Sequence, residues 1–222
     1  MCAAAAWLFE IIASWRWPEI FTAAGTVALS AFAYRALAAW KGQERAKRET
    51  DFLSELVDAV HRYIAEMSKP ITLTKFIKIG MDSHSPEGEL DGIVGAITYI
   101  RKRGADDSKR LMSELGAIQP TTIRIRSLIA KGQAFKFDGY SKCYNAVQML
   151  AWHFDRLEAL AAIIAYGELN WNNPEVINQL RTGMDIAADD IGKKLGEENV
   201  TVLTFFVETY ERIYGKRPQA AV

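Results

Sequence analysis

The sequence has few of the residues from which metal sites, disulfide frameworks and nucleophilic centres are usually built. Its 222 residues contain two cysteines and three histidines, and none of these form a close pair: Cys2, His61, His84, Cys143 and His153. Two distant thiols do not make a disulfide framework and fit a reducing compartment, while a structural zinc site needs about four ligands in close pairs. The composition therefore predicts neither a metal nor another cofactor.

Motifs for catalysis and nucleotide binding are also missing. The chain contains no serine nucleophile elbow, P-loop, dinucleotide fingerprint or metalloprotease helix. Cys143 and His153 share a predicted helix, but their separation along it is about 15 Å, which is too far for proton transfer. We interpret His153 as a histidine at the edge of the core, and we assign no catalytic residue.

The stretch GMDSHSPEGE, residues 80–89, is the clearest loop signal in the sequence. In or beside it are side chains of the kinds that bind hard cations: Asp82, His84, Glu87, Glu89 and Asp91. Their spacing does not fit a calcium loop, in which a glycine follows alternating Asp or Asn ligands. We predict a solvent-exposed acidic loop that caps the next helix.

The chain also lacks a net charge, because 27 Lys and Arg balance 27 Asp and Glu, and this argues against a general polyanion binder. The distribution is uneven, however. Residues 101–142 have ten basic and four acidic side chains, whereas residues 143–198 have four basic and nine acidic ones. Either these charges pair internally or are solvated, or the first stretch forms a basic face for anionic lipid or nucleic acid. The candidate contacts of such a face are Arg101, Arg103, Arg124 and Arg126.

What the sequence does contain is a long apolar run near its start. Residues 20–34 carry no charge, and after Arg35 apolar residues resume to Trp40. A membrane-spanning helix needs about 20 mostly apolar residues, and an arginine near its end can extend toward the headgroups. We predict a transmembrane helix at residues 19–41. The alternatives are a buried or hairpin helix of a soluble bundle and a signal sequence.

The flanks of this run predict its orientation. One basic and two acidic residues precede it: Glu10, Arg16 and Glu19. Four basic residues follow within eight positions: Lys41, Arg45, Lys47 and Arg48. Because basic residues concentrate on the cytoplasmic side of membrane helices, we expect a single pass with the C-terminal domain in the cytoplasm.

Two further features concern the N-terminal region. Residues 1–18 predict a short amphipathic segment, which is suited either to an interface or to packing in a core. Within the apolar run, Thr22, Thr26 and Ser30 lie four residues apart. Small residues at that spacing allow two membrane helices to approach closely, so they are candidates for self-association.

The rest of the chain shows helical periodicity and no alternation typical of β-hairpins. Residues 42–70 predict a juxtamembrane amphipathic helix that ends at Pro70, and residues 71–222 predict a helical domain. Three short helices are predicted first, from Leu90 to a stop at Gly104, from Asp106 to Leu115 and from Pro120 to Gly132. A long helix is predicted over 140–166. Two more are predicted from a cap at Asn173 to Leu195, just before Gly196, and from Val200 to Tyr214. The predicted fold is all-α, with an N-terminal transmembrane helix followed by a helical bundle domain.

The segment TVALSAFAYRALAAWKGQERAKRETDFLSEL, residues 26–56, joins the apolar run to a charged helix. In this layout the chain resembles uncharacterised small membrane-anchored proteins of bacteria and phages. These have one N-terminal membrane helix, a charged juxtamembrane helix and a modest helical domain. The resemblance implies a protein of the bacterial inner membrane. It implies no activity, so no functional residue is transferred.

Three functions are compatible with these features. The favoured one is a membrane-anchored interaction or regulatory protein, which binds protein partners or copies of itself. The second is a membrane-acting effector, of the kind used in phage defence or lysis control. The third is a soluble helical protein that binds nucleic acid or phosphate through the basic stretch 101–142.

Overall fold

The computed structural model describes residues 17–89, 91–186 and 188–215, with side chains from residue 21 onward. Most of these residues are helical, and no strand occurs among them. The elements in chain order are α1 (Trp17–Asp82), α2 (Ile93–Tyr99), a π-helical turn (Ile100–Gly104), α3 (Ala105–Gly132), a 3-10 turn (Gln133–Phe135), α4 (Tyr140–Ile164), α5 (Pro174–Met184) and α6 (Ala188–Tyr214). The predicted all-α fold is confirmed.

The chain divides into two compact units, Met1–Arg48 and Glu49–Val222. In the first unit the structure describes the N-terminal part of α1. The second unit contains the remainder of α1 and all later helices. The predicted amphipathic segment, residues 1–18, lies outside the described residues except for its last two positions, which begin α1.

In the second unit, one face of α1 packs into a core around α4. The amphipathic helix predicted for residues 42–70 has its apolar stripe over residues 52–67; this stripe is mostly buried, and Phe52, Leu56 and Tyr63 are each at most 2% exposed. The Tyr63 hydroxyl also donates a hydrogen bond of 2.6 Å to the carbonyl oxygen of Leu150 in α4. Burying a large apolar side chain contributes roughly 1.5–3 kcal/mol. This stripe is therefore used for packing within its own unit.

Two prolines predicted to bound helices lie inside them instead. Pro70 does not end α1, which continues to Asp82, and Pro120 does not start α3, which begins at Ala105. A proline inside a helix removes a backbone hydrogen bond and costs about 3 kcal/mol. Burial of the helix faces on both sides of each proline offsets that cost. The flanking residues, each at most 3% exposed, are Met67, Ile77, Ile118 and Ile125.

Two glycines predicted to stop helices are helical as well. Gly104 leads from the π-helical turn into α3 without a break, and Gly196 lies inside α6. A Cβ atom at Gly104 would lie 2.3 Å from the carbonyl oxygen of Ile164, so close packing requires glycine there. The break expected near Leu195 comes after Met184 instead, whose carbonyl oxygen accepts a hydrogen bond from Lys78 Nζ at 2.9 Å. That bond satisfies a carbonyl left without a partner where the helix ends.

Two other turn signals agree with the structure in part: the Asn173 cap is confirmed, whereas residues 80–82 of the predicted loop belong to α1. Asn173 caps α5, because its Oδ1 accepts a hydrogen bond of 2.9 Å from the backbone nitrogen of Glu175. Between α1 and α2, the Glu89 carboxylate accepts hydrogen bonds from the backbone nitrogens of Val94 and Gly95. The acidic loop therefore caps the next helix, as its sequence predicts.

Candidate functional site

The first candidate site is the apolar surface of α1 between residues 21 and 40. No residue from 21 to 43 is buried, and Phe21, Leu29 and Phe32 are each at least 68% exposed. By length and composition, α1 is the one helix among the described residues that could cross a membrane, with a mean hydropathy of 1.2 over an 18-residue window. A continuous exposed apolar surface of this kind is typical of a membrane or protein interface.

The hydroxyl groups within this surface bond to their own helix. Thr26 Oγ1 donates to the carbonyl oxygen of Thr22 at 2.9 Å, and Ser30 Oγ donates to that of Thr26 at 2.8 Å. Such bonds allow hydroxyls to enter an apolar environment without losing a hydrogen bond. The hydroxyl hydrogens of Thr26 and Ser30 are therefore already in use. In a helix–helix contact of the kind that the sequence predicts, they would contribute through their small size.

The four predicted basic contacts do not form one surface. Arg101 and Arg103 are exposed on the π-helical turn, together with Lys102. Arg124 and Arg126 lie about 20 residues further along the helix, which corresponds to roughly 30 Å. One ligand of ordinary size cannot contact both pairs.

The two pairs of arginines also differ in their partners. Arg124 Nη2 lies 3.1 Å from Glu55 Oε1, and Arg126 Nη2 lies 2.6 Å from Asp155 Oδ1. These side chains are all more than a third exposed, so each ion pair contributes at most about 1 kcal/mol. The second pair joins the basic stretch to the acidic stretch, as the internal-pairing interpretation expects. In contrast, the three basic side chains of the π-helical turn make no ion pair within the part of the chain that is described.

His153 is deeply buried and not at the edge of the core. It is 1% exposed, and neither ring nitrogen has a hydrogen-bond partner among the described residues. Burial, and to a lesser degree the positive charges of Arg156 and Lys194, lower the pKa of His153 to about 4. The ring is therefore neutral at physiological pH and poorly suited to general-base catalysis near pH 7.

Cys143 is buried in the core of the second unit, and burial raises the pKa of its thiol to about 12. Because the thiolate is the reactive form of cysteine, this thiol is inert in the folded protein. Among residues 17–89, 91–186 and 188–215, no group of three or more His, Cys, Asp or Glu side chains could hold a metal ion.

Several grooves on the described part of the second unit have the size of small-molecule sites, roughly 300 Å³ or more, and two of them are lined in part by arginine side chains. The groove between α1 and α3 has a volume of about 350 Å³ and is lined by charges of both signs, including Asp58, Arg62 and Arg124. The groove between α4 and α5 has a volume of about 400 Å³ and a mostly apolar lining, with Arg156 as its charged residue.

Arg156 is held in place by a neighbouring aromatic ring. Its guanidinium carbon lies 4.5 Å from the ring centroid of Trp152, which is a cation–π contact. This pair was not among the contacts predicted from the sequence. A usable signal was present, because residues four apart on a helix are neighbours on its surface.

No protein-family model matches the chain, and neither a curated protein nor a solved structure is significantly similar to it. The resemblance to membrane-anchored proteins of bacteria and phages therefore depends on sequence layout alone.

Proposed function

We propose that this chain is a membrane-anchored helical protein whose second unit serves protein interaction or regulation. The observation that carries the proposal is the exposure of the large apolar side chains of α1 between residues 21 and 40. Six of them are Phe21, Val27, Leu29, Phe32, Leu37 and Trp40. They are 49–72% exposed, so at roughly 1.5–3 kcal/mol for a fully exposed side chain their transfer from water into hydrocarbon contributes roughly 6–12 kcal/mol.

The polar groups in the segment cost less than this. An arginine at the centre of a membrane helix costs roughly 3 kcal/mol on insertion scales, and less near an end. Arg35 lies six residues before Lys41, which is about 9 Å along the helix, so its side chain can reach the headgroup region. The Thr26 and Ser30 hydroxyls keep their hydrogen bonds inside the helix. The balance favours insertion.

The basic residues after the apolar run support an orientation with the second unit on the cytoplasmic side. They lie within eight residues of Lys41, where such charges influence topology most strongly. The resemblance described above supports a bacterial inner membrane as the location. A bulky helical unit without a recognised catalytic motif is suited to binding a protein partner or a second copy of the chain.

Fractionation with a carbonate wash tests the anchor. In the variant Leu29→Asp/Phe32→Asp, two charges lie inside the apolar run, at positions that are 72% and 68% exposed. We expect the unaltered chain to stay in the membrane pellet and this variant to be released. A matched control is Ile123→Asp, which places a charge at an exposed apolar position of α3 and should leave the protein in the pellet.

A soluble, folded full-length protein in the absence of detergent would contradict the proposal. A shortened chain that starts at Gln43 tests the remaining possibility, which is that the apolar segment is part of a soluble core. If this shortened chain misfolds while the full-length chain is soluble, the apolar segment is part of a core. Orientation is measured with a fluorescent protein fused after Val222, which we expect to fluoresce because it remains in the cytoplasm. In right-side-out vesicles, we expect the fusion to be protected from added protease because it lies inside the vesicle.

A second candidate function is favoured by the three consecutive basic side chains of the π-helical turn, which are exposed and without ion pairs among the described residues. They fit a phosphate-rich partner such as nucleic acid. The structure offers a matched comparison, because Arg101→Glu/Arg103→Glu alters the turn and Arg124→Glu/Arg126→Glu alters arginines already paired with carboxylates. If this function holds, salt-sensitive binding is lost in the first variant and largely kept in the second. Equal loss in both variants, or no binding by the unaltered protein, would argue against it.

A further inference from the structure

The groove between α4 and α5 combines an apolar surface with a single charge. Its apolar lining comprises Ala159, Leu160, Ala162, Ile163 and Ile186. Among the described residues that line it, Arg156 alone is charged. With about 400 Å³, the groove has room for one small molecule and is too small for a two-chain phospholipid.

Residue size explains why the groove exists. Gly183 on α5 faces Leu160, and a Cβ atom at Gly183 would lie 3.2 Å from Leu160 Cδ1, so glycine allows the two helices to approach closely. Leu160 is buried and forms the floor. Ala159 and Ala162 are exposed and small, and they leave the space above that floor open.

Arg156 is oriented but lacks a counter-ion. The Trp152 ring holds its guanidinium group, and no carboxylate within 4 Å of it is found in the part of the chain that the structure describes. The same positive charge contributes to the lowered pKa of His153. A guanidinium group with free donors pairs most strongly with a planar carboxylate or a phosphate.

We propose that this groove binds a medium-chain fatty acid, whose carboxylate pairs with Arg156 and whose alkyl chain lies on Leu160, Ile163 and Ile186. The apolar lining suits the chain, and the unpaired cation suits the head group. The groove volume of about 400 Å³ fits a single alkyl chain, so a free fatty acid is favoured over a membrane phospholipid. The groove lies entirely within the second unit, so the inference is independent of membrane anchoring.

The test uses the full-length protein in nanodiscs of zwitterionic lipid, with empty nanodiscs as the reference for partitioning. The first probe is dodecanoate labelled at its carboxyl group, and its binding is measured by NMR titration. The second probe is dodecanol, the neutral analogue. We expect saturable binding of dodecanoate, and a Kd at least about tenfold weaker in Arg156→Gln, because a charge-assisted hydrogen bond is lost. The matched control is Arg181→Gln, an exposed arginine of α5 that pairs with Asp91 outside the groove. Its Kd should be unchanged.

A second variant separates binding from folding. Ala159→Phe fills the groove from an exposed position, so we expect an unchanged melting temperature together with a loss of dodecanoate binding of about tenfold or more. A photoreactive dodecanoate locates the site directly, and its adducts should map to residues 156–163 or 179–186.

Several results would overturn the proposal. These are equal affinity for dodecanoate and dodecanol, unchanged binding in Arg156→Gln, or adducts confined to residues 21–40, which would indicate partitioning at the membrane segment. Preference for dodecyl phosphate over dodecanoate would overturn the carboxylate assignment and indicate a phosphate head group. Release from the membrane in the carbonate experiment, with dodecanoate binding intact, would refute anchoring without affecting this inference.

Discussion

Replacing His153 by leucine should make the protein more stable, and increasingly so as the pH falls. The imidazole ring is 1% exposed, and both ring nitrogens lack partners among the described residues. An unsatisfied buried polar group costs roughly 1–3 kcal/mol. Leucine has a similar volume and no polar atom, so at pH 7 we expect the free energy of unfolding to rise by about 1 kcal/mol.

The pH dependence follows from the lowered pKa of this histidine. The pKa of His153 is about 4 in the folded protein, against an ordinary value of 6.5. Between these values the unfolded chain binds a proton that the folded chain does not, so stability falls as the pH drops from 6.5 toward 4. The complete loss is about 3 kcal/mol, of which about 2 kcal/mol appears between pH 7 and pH 5. Arg156 and Lys194 deepen the loss, because their charges oppose protonation of the ring.

Thermal unfolding of the full-length protein in mild detergent, followed by circular dichroism at pH 7 and pH 5, measures the effect. We expect the melting temperature of the unaltered protein to fall by about 5 °C more than that of His153→Leu between the two pH values. The control is His61→Leu, which removes a histidine that is exposed on α1 and lies outside the core. Parallel pH profiles for the unaltered protein and His153→Leu would refute the reasoning.

Two other predictions concern packing. Gly104→Ala should destabilise the protein by about 3 kcal/mol or more in urea titrations, because the added Cβ would lie 2.3 Å from the backbone carbonyl oxygen of Ile164. Gly116→Ala, where nothing lies within 4 Å, should instead stabilise it by about 0.5–1 kcal/mol, and equal effects at both sites would contradict the packing argument. The second prediction concerns Cys143, whose buried thiol has a pKa of about 12. In a Cys2→Ser background, this thiol should react with maleimide only as fast as the protein unfolds. Rapid labelling of the folded protein would show that the thiol is accessible.

The helical character of the chain could be predicted because its causes are local. The apolar stripe of residues 52–67 and the period of α4 follow from side-chain spacing alone. The cap at Asn173 and the capping loop before α2 also depend on residues a few positions apart. For these elements, the sequence predictions and the structure agree.

Helix boundaries could not be predicted in the same way. Proline and glycine weaken a helix locally, and the predictions at Pro70, Pro120, Gly104 and Gly196 used that local preference. Each of these residues lies in a helix that packs against the rest of the second unit. The free energy gained by burying the flanking apolar side chains exceeds the local cost, and it comes from residues distant in sequence.

The candidate sites show the same contrast between features with local causes and features that depend on distant residues. The apolar segment of α1 was recognisable from composition, because membrane insertion depends mainly on the length and hydropathy of one segment. The partners of Arg124 and Arg126 were not recognisable, because Glu55 and Asp155 lie 69 and 29 residues away from them. The burial of His153 and the groove beside Arg156 were also beyond the reach of sequence patterns.

The sequence by itself thus determined that the chain is helical, that residues 20–40 are apolar enough to span a membrane, and where the α5 cap lies. These properties depend on side chains within a few turns of one another. Only the tertiary structure decided which prolines and glycines interrupt helices, which arginines are paired, and that α4 and α5 line a groove in which Arg156 is the one charged residue among those described. Those properties depend on which distant helices come into contact, and on the burial that the contact brings.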